Sequence, residues 1–355
     1  MLLKHHKDDS CVKILMSSHA FYPSLGGLES VGLLLAYEFA EAGHKVIVVT
    51  QTPTDEENAG DFPFRVVRKP GARSLLRLTA WADVVYHHNI SLQTAWPLIV
   101  LRRPWVVSHH GWLPRGFNAF GAKGAIKQMV LRGATGIAVS QAVAADYKTS
   151  STVIPNPYDD KVFRPISGVA REVDLAFVGR FVSDKGLPVL VRALRYLEHR
   201  GIRPNLAVIG QGPEEKAWQQ LVLDQRLSKQ VRFVGPKRGE ELAVLLNATR
   251  VLVIPSLWNE PFGVVALEGL ACGCMVVGSE GGGLKEAIGS AGLTFPNGNA
   301  PALAQCLEKV LTDQKIVADC LAAVPEHLNP HRPSRVAQRY LTILSESIQV
   351  FNRRS

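Results

Sequence analysis

The sequence predicts an α/β protein of two doubly wound, parallel-sheet domains. Three observations carry this expectation. Short apolar runs rich in β-branched residues recur along the chain, six in the first half and six in the second. Segments with helical spacing lie between many of them. The length, 355 residues, suffices for two cores and is long for one.

The first-half runs are residues 12–16, 46–50, 84–86, 105–108, 137–140 and 152–154. The second-half runs are 175–178, 206–209, 231–234, 251–254, 276–278 and 293–295. Runs this short and this apolar fit strands buried on both faces of a parallel sheet. Between the first two, Leu28, Val31, Leu34, Leu35, Phe39 and Ala42 follow a 3.6-residue period, and Gly43 supplies a stop. Strands alternating with helices imply right-handed βαβ units.

Prolines at 155, 157 and 165 break the pattern and suit a linker. The expected domains are therefore 1–160 and 161–333, with 1–11 a loose tail. A second break is expected from Pro325 to Pro333. An amphipathic helix over 334–355, with Val336, Tyr340, Leu341, Leu344 and Ile348 on one face, is expected to pack back onto the first domain.

Composition narrows the function classes. Apolar residues make up 46% and charged residues 20%, a globular balance. No apolar run reaches the roughly 18 residues of a membrane span. The best candidate, 262–278, carries Glu268 in its middle. The N-terminus lacks an apolar signal core, so a cytoplasmic protein is expected. Five cysteines (11, 272, 274, 306, 320) with no framework spacing read as small buried residues, with neither disulfides nor a metal site expected. The net charge of +9 favours anionic partners. It divides as 18 basic against 13 acidic residues in 1–165 and 22 against 18 in 166–355. No basic block or interleaved aromatic stripe marks a nucleic-acid site. Residues 117–132 combine Phe117, Phe120, Ile126, Met129, Val130 and Leu131 with Lys123, Lys127 and Arg132. This reads as an interfacial helix or as an ordinary surface helix.

Ligands of doubly wound sheets sit beyond the carboxyl ends of the strands, which in a two-domain protein directs attention to a cleft. Gly26 and Gly27 precede a helix, where backbone amides can approach an anion. The competing reading is a turn. Arg180 and Lys185 follow the first strand of the second half, beside Gly179 and Gly186. A guanidinium fork and a lysine point charge suit a diphosphate; the alternative is solvated surface charge. Glu260 precedes a helix whose starting amides, at Phe262, Gly263 and Val264, are available to oxygen atoms. Glu268 interrupts that helix, and a buried carboxylate needs partners. The competing reading is a structural glutamate. His87 and His88, and His109 and His110, follow two first-half strands; each is a ligand contact or a satisfied core residue.

In combination these segments resemble glycosyltransferase family 4, retaining enzymes of the GT-B fold with two Rossmann-like domains. Glu260 and Glu268 match the family's Glu–seven residues–Glu motif. Val178-Gly179-Arg180 with Lys185-Gly186 resembles its diphosphate segment, and Pro155-Asn156-Pro157 with Phe163-Arg164-Pro165 its interdomain linker. Gly26-Gly27-Leu28-Glu29 and Gly282-Gly283-Leu284-Lys285-Glu286 resemble two further glycine elements. Cys272-Gly273-Cys274-Met275 departs from the family, which commonly has proline last.

The resemblance implies that Glu268 binds ribose and that Glu260, with the amides of Phe262 and Gly263, holds the donor sugar. Arg180 and Lys185 stabilise the leaving diphosphate, and His110 lies near the transferred sugar, with His109 the competing residue. It implies a nucleotide-sugar donor and a glycan or lipid-linked acceptor. No Asp-x-Asp occurs in the chain, so no divalent metal or other cofactor is expected. The rival readings are an epimerase or phosphorylase of the same fold, and a basic membrane-binding module without catalysis.

Overall fold

A computed structural model of the chain describes residues 11–24, 26–54, 60–113, 131–147 and 150–354. The expected tail and the 117–132 stretch lie outside the described residues, apart from Cys11, Leu131 and Arg132. The chain divides into two compact units. The first is Met1–Ala138, Asp146–Ile154 and Ala337–Ser355; the second is Val139–Ala145 and Pro155–Val336.

In the first unit the strands are β1 (Lys13–Ser18), β2 (Lys45–Thr50), β3 (Arg65–Arg68), β4 (Val84–His88), β5 (Trp105–His109), β6 (Thr135–Ala138) and β7 (Ser151–Val153). They form one parallel sheet in the order β3-β2-β1-β4-β5-β6-β7. Helices α1 (Gly27–Glu41), α2 (Ala72–Trp81), α3 (Leu92–Ala95) and α4 (Pro97–Val100) follow its strands; α5 (Gln141–Tyr147) follows β6 in the chain, with Gln141–Ala145 counted in the second unit. Val31, Leu35, Ala36 and Phe39 of α1 are buried, as the 3.6-residue spacing requires.

The second unit holds β8 (Val173–Val178), β9 (Leu206–Ile209), β10 (Val231–Gly235), β11 (Thr249–Ile254), β12 (Met275–Ser279) and β13 (Gly292–Phe295). The order is β10-β9-β8-β11-β12-β13, again parallel. The helices are α6 (Leu187–Glu198), α7 (Glu215–Asp224), α8 (Gly239–Asn247), α9 (Val264–Ala271), α10 (Leu284–Ile288), α11 (Ala300–Thr312) and α12 (Gln314–Leu328); α13 (Pro333–Arg354) closes the chain. The core gathers Leu187, Leu190, Leu194 and Leu197 of α6 against Leu175 and Phe177 of β8. Burying each such leucine stabilises the fold by roughly 1.5–3 kcal/mol.

Three expectations need correction. β3, Arg-Val-Val-Arg, carries no apolar run, because an edge strand needs only one partner and tolerates charge at its ends. Pro325 lies inside α12 and does not end it. One missing N–H removes one backbone bond, and buried Cys320 and Leu328 anchor the turns on either side. The break is the short turn Asn329–His331. His87 and His88 are not loop residues. They end β4, paired to β1 and β5 on both sides and buried.

Both sheets reverse winding between their first and fourth strands. That is the switch point where doubly wound sheets open a crevice at their carboxyl ends. In the second unit it is flanked by the loops after β8 and β11.

Candidate active site

After β8 the chain passes Gly179 and Arg180 and makes a 3₁₀ turn, Ser183–Lys185, closed by Gly186. Gly186 has φ +71°, and a Cβ there would lie 1.9 Å from the Pro255 carbonyl oxygen. Only glycine permits that approach. The Asp184 carbonyl accepts from the amides of Leu257 at 2.8 Å and Trp258 at 3.3 Å. The loop after β8 is thereby seated on the loop after β11.

This seating brings together residues 75 apart in sequence. Lys185 Nζ lies 2.6 Å from Glu260 Oε1, and Ser256 Oγ donates to the same oxygen at 2.7 Å. The side chains keep 27% and 14% of their surface. An ion pair with this much solvent adds little stability, about 0–1 kcal/mol; its consequence is orientation. Arg180 is exposed and has no ion-pair partner among the described residues. One cation of the loop is held and the other is open. Ser256 carried no signal in the sequence beyond standing two residues past a strand end.

Glu260 is fixed from its other side by backbone. Its carbonyl accepts from the Gly283 amide at 2.7 Å, and it forms an isolated parallel bridge with Gly282. Gly282 has φ +71°, and a Cβ there would lie 2.2 Å from the Glu260 carbonyl oxygen. Glu286, the last residue of this glycine element, accepts from the amides of Gln141 at 3.0 Å and Ala142 at 3.4 Å. It thus meets the positive end of α5.

Gly263, with φ +110°, caps α9. The first amides of α9 have no intrahelical acceptor. The Phe262 side chain is buried, its ring 5.7 Å from that of His331, so only its backbone is available to a ligand. Val264 opens the helix, and Glu268 lies one turn further along. Glu268 is part-buried and makes no side-chain hydrogen bond or ion pair among the described residues. Burial, and secondarily the charge of Asp159, raise its carboxyl to about 7.

Gly26, Gly27 and His110 belong to the first unit. Gly26 caps α1 with ordinary extended backbone, φ −155°. A Cβ on Gly26 would meet only the flexible Glu29 side chain, and on Gly27 open space. The fold gives no steric reason for glycine at either position. His109 is buried and stacks on Tyr147 at 3.8 Å, whereas His110 keeps part of its surface. His110 Nε2 lies 2.8 Å from Ser108 Oγ, and its ring 4.1 Å from that of His88. His87 accepts from Trp105 Nε1 at 2.9 Å and, through Nε2, meets Thr94 Oγ1 at 3.2 Å; burial lowers it to about 3. It is a neutral core residue.

Among the described residues no group of three or more His, Cys, Asp or Glu side chains is placed to hold a metal ion. Cys272 and Cys274 are buried, and Cys274 Sγ lies 3.0 Å from the Leu246 carbonyl.

Comparison with known proteins supplies the class. The crystal structure of Anabaena Alr3699/HepE in complex with UDP superposes with a TM-score of 0.78 at 21% identity, covering 94% of this chain and all of that one. That likeness shows the fold, which is GT-B. The family model for Glyco_transf_4, Glycosyltransferase Family 4, matches residues 25–162, and that for Glycosyl transferases group 1 matches 160–326. The chain therefore belongs to glycosyltransferase family 4. The D-inositol 3-phosphate glycosyltransferase of Stackebrandtia nassauensis is 33% identical over 220 residues, 56% of this chain and 49% of that protein. The chain thus spans about half the length of that relative. Glycogen synthase of Mycobacterium tuberculosis is 26% identical over 364 residues, 85% of this chain and 86% of that protein.

Proposed function

We propose that this chain is a retaining glycosyltransferase. It moves a hexose from a UDP- or GDP-sugar to a glycan or lipid-linked glycan, as in bacterial polysaccharide or lipopolysaccharide assembly. The observation that carries the reading is Glu268. A part-buried carboxylate without a hydrogen-bond or ion-pair partner among the described residues, raised toward neutrality, is costly unless a ligand supplies the hydrogen bonds. It stands eight residues from Glu260, which is itself held by Lys185 and Ser256. Ribose hydroxyls suit Glu268, and sugar hydroxyls suit Glu260 and the amides of Phe262, Gly263 and Val264.

Breaking the anomeric bond puts negative charge on the diphosphate and positive charge on the ring. Arg180 and Lys185 suit the first; in the first unit, the α1 amides behind Gly26 and Gly27 are a further candidate for an anion. For His110, in the first unit, the role carried by the resemblance is a contact with the transferred sugar. No divalent metal is expected, since the chain has no Asp-x-Asp and Arg180 and Lys185 are the candidates for the diphosphate.

The acceptor reading draws on charge. Residues 62–145 hold 11 basic residues and one acidic one, while the remaining chain holds 29 and 30. The net +9 therefore arises in this segment. Arg73 and Arg77 are exposed on α2, and Arg103 donates to the Thr79 and Ala80 carbonyls at the end of that helix. Next to Arg103, Ile99 and Val100 are 75% and 69% exposed. Aliphatic tips beside arginines suit an anionic lipid surface, where a lipid-linked acceptor would lie. No helix among the described residues is long and apolar enough to cross a membrane.

The test is release of nucleoside diphosphate from a panel of UDP- and GDP-sugars, with and without acceptor glycans and with EDTA. Acceptor-dependent release that survives EDTA is expected. An epimerised donor, or release that needs inorganic phosphate, would replace the reading with one of its rivals. Activity lost to EDTA and restored by a divalent ion would overturn the metal-free mechanism.

A further inference from the structure

A row of buried polar side chains in the first unit ends at His110. His88 Nε2 lies 2.8 Å from the Leu28 carbonyl oxygen, in the first turn of α1. His88 Nδ1 lies 3.0 Å from the Tyr86 hydroxyl, which lies 2.9 Å from Ser108 Oγ. Ser108 Oγ lies 2.8 Å from His110 Nε2. Tyr86, His88 and Ser108 are fully buried, so no water competes for these bonds. The row is built in: Gly32 of α1 faces His88, and a Cβ there would lie 3.1 Å from the imidazole Cδ2. A helix-interior glycine costs about 1 kcal/mol against alanine, and here it admits the ring.

Three of these four bonds, taken alone, could run either way. Taken together they cannot. A carbonyl oxygen only accepts, so His88 Nε2 carries a proton and donates to Leu28. Burial holds His88 neutral, at about 4, so its Nδ1 has a lone pair and must accept. Tyr86 has one hydroxyl proton and gives it to His88. The Tyr340 hydroxyl also borders Tyr86 and Ser108, but the 2.9 Å bond between Tyr86 and Ser108 needs a proton of its own, and with the Tyr86 proton on His88 that proton is Ser108's. The Ser108 proton is then committed, and its oxygen accepts from His110.

We infer that this one-way hydrogen-bond chain, anchored on the Leu28 carbonyl, fixes the proton of His110 on Nε2 and makes Nδ1 the lone-pair nitrogen. Tyr86, His88 and Ser108 are positioning residues for His110. Whatever meets Nδ1 must donate to it. Nδ1 itself is buried; a hydroxyl that reached it could serve as such a donor, and a carbonyl or phosphate oxygen could not.

The test reads the tautomer directly and needs no donor. The full chain is labelled with ¹⁵N-histidine, and the His110 resonances are assigned by their loss in His110→Gln. At pH 8, wild type is expected to show a protonated Nε2 and an unprotonated Nδ1 at His110. Tyr86→Phe releases the Ser108 hydroxyl to donate to His110, so the Nδ1-protonated form is expected to rise to a comparable population. Ser108→Ala removes the partner and is expected to mix the tautomers by a second route, which covers misfolding of the first variant. A wild-type His110 protonated at Nδ1, or folded Tyr86→Phe and Ser108→Ala proteins with the wild-type tautomer, would overturn the inference. Failure of glycosyl transfer with the tautomer as stated would instead count against the proposed function.

Discussion

Two side chains carry sharp expectations at the scale of the residue. The Glu268 carboxyl titrates at about 7 in the folded protein, against an ordinary value of 4.5. The folded state therefore binds this proton more tightly than the unfolded state does. Its stabilising contribution is complete below 4.5 and is lost as pH rises through 7. Glu268→Gln should remove that dependence. It should match wild type at pH 5 and exceed it at pH 8 by roughly 1–2 kcal/mol after solvent screening, read from melts at both pH values. The same variant should weaken donor binding about ten- to hundredfold, the worth of a hydrogen bond to a charged group. Wild-type affinity should rise between pH 6 and 8, as the carboxylate ionises, and the variant's should not. A pH-independent wild-type affinity would remove Glu268 from the donor site.

Arg180 is exposed and unpaired by ion pairs among the described residues, so its loss should leave stability within about 0.5 kcal/mol. Arg180→Ala should nonetheless slow turnover on the order of 10²–10³-fold, because diphosphate charge grows in the transition state. Arg180→Lys, which keeps the charge without the fork, should fall between. Lys185→Ala also frees Glu260 from its partner, so the double variant should not show the product of the single effects. Steady-state kinetics beside a thermal melt separate these outcomes; normal turnover in a folded Arg180→Ala protein would place the diphosphate elsewhere.

At the scale of the element, two glycines should behave oppositely. Gly186 closes the 3₁₀ turn with positive φ and touches the Pro255 carbonyl. Gly186→Ala should cost on the order of 2–4 kcal/mol, from left-handed backbone and a forced separation of the two loops. It should also lower activity by moving Lys185 from Glu260. Gly27 starts α1 in open space, so Gly27→Ala should be neutral or stabilising by up to about 1 kcal/mol. If a donor oxygen approaches that turn, affinity should still fall. Calorimetric melts with donor titrations test both. An inactive, destabilised Gly27→Ala would mean that the glycine serves the fold.

At the scale of the whole molecule, the basic segment should govern membrane attachment. Co-sedimentation with vesicles rich in phosphatidylglycerol is expected, falling steeply with salt, and little binding to phosphatidylcholine alone. Ile99→Asp with Val100→Asp, or Arg73→Glu with Arg77→Glu, should reduce it several-fold without changing turnover on a water-soluble acceptor. Binding that ignores lipid charge, or that survives both pairs of changes, would remove this face as the contact.

The alternation of strand and helix was legible from the sequence because buried parallel strands carry their own apolar signal. All 12 apolar runs lie in or overlap strands of the two sheets. The glutamate pair, Arg180 and Lys185 became candidates because strand ends in such sheets are where ligands go. β3 escaped because an edge strand needs no continuous apolar run. The strand place of His87 and His88 and the helix running through Pro325 were not legible, because strand pairing and helix continuity depend on neighbours distant in the chain. The contact of Lys185 with Glu260, the place of Ser256 beside them and the single direction of the His110 hydrogen-bond chain were decided by the tertiary structure alone. A hydrogen bond's direction follows from its terminal acceptor, here a backbone carbonyl on α1, 60 residues from His88. No local pattern in the sequence carries that information.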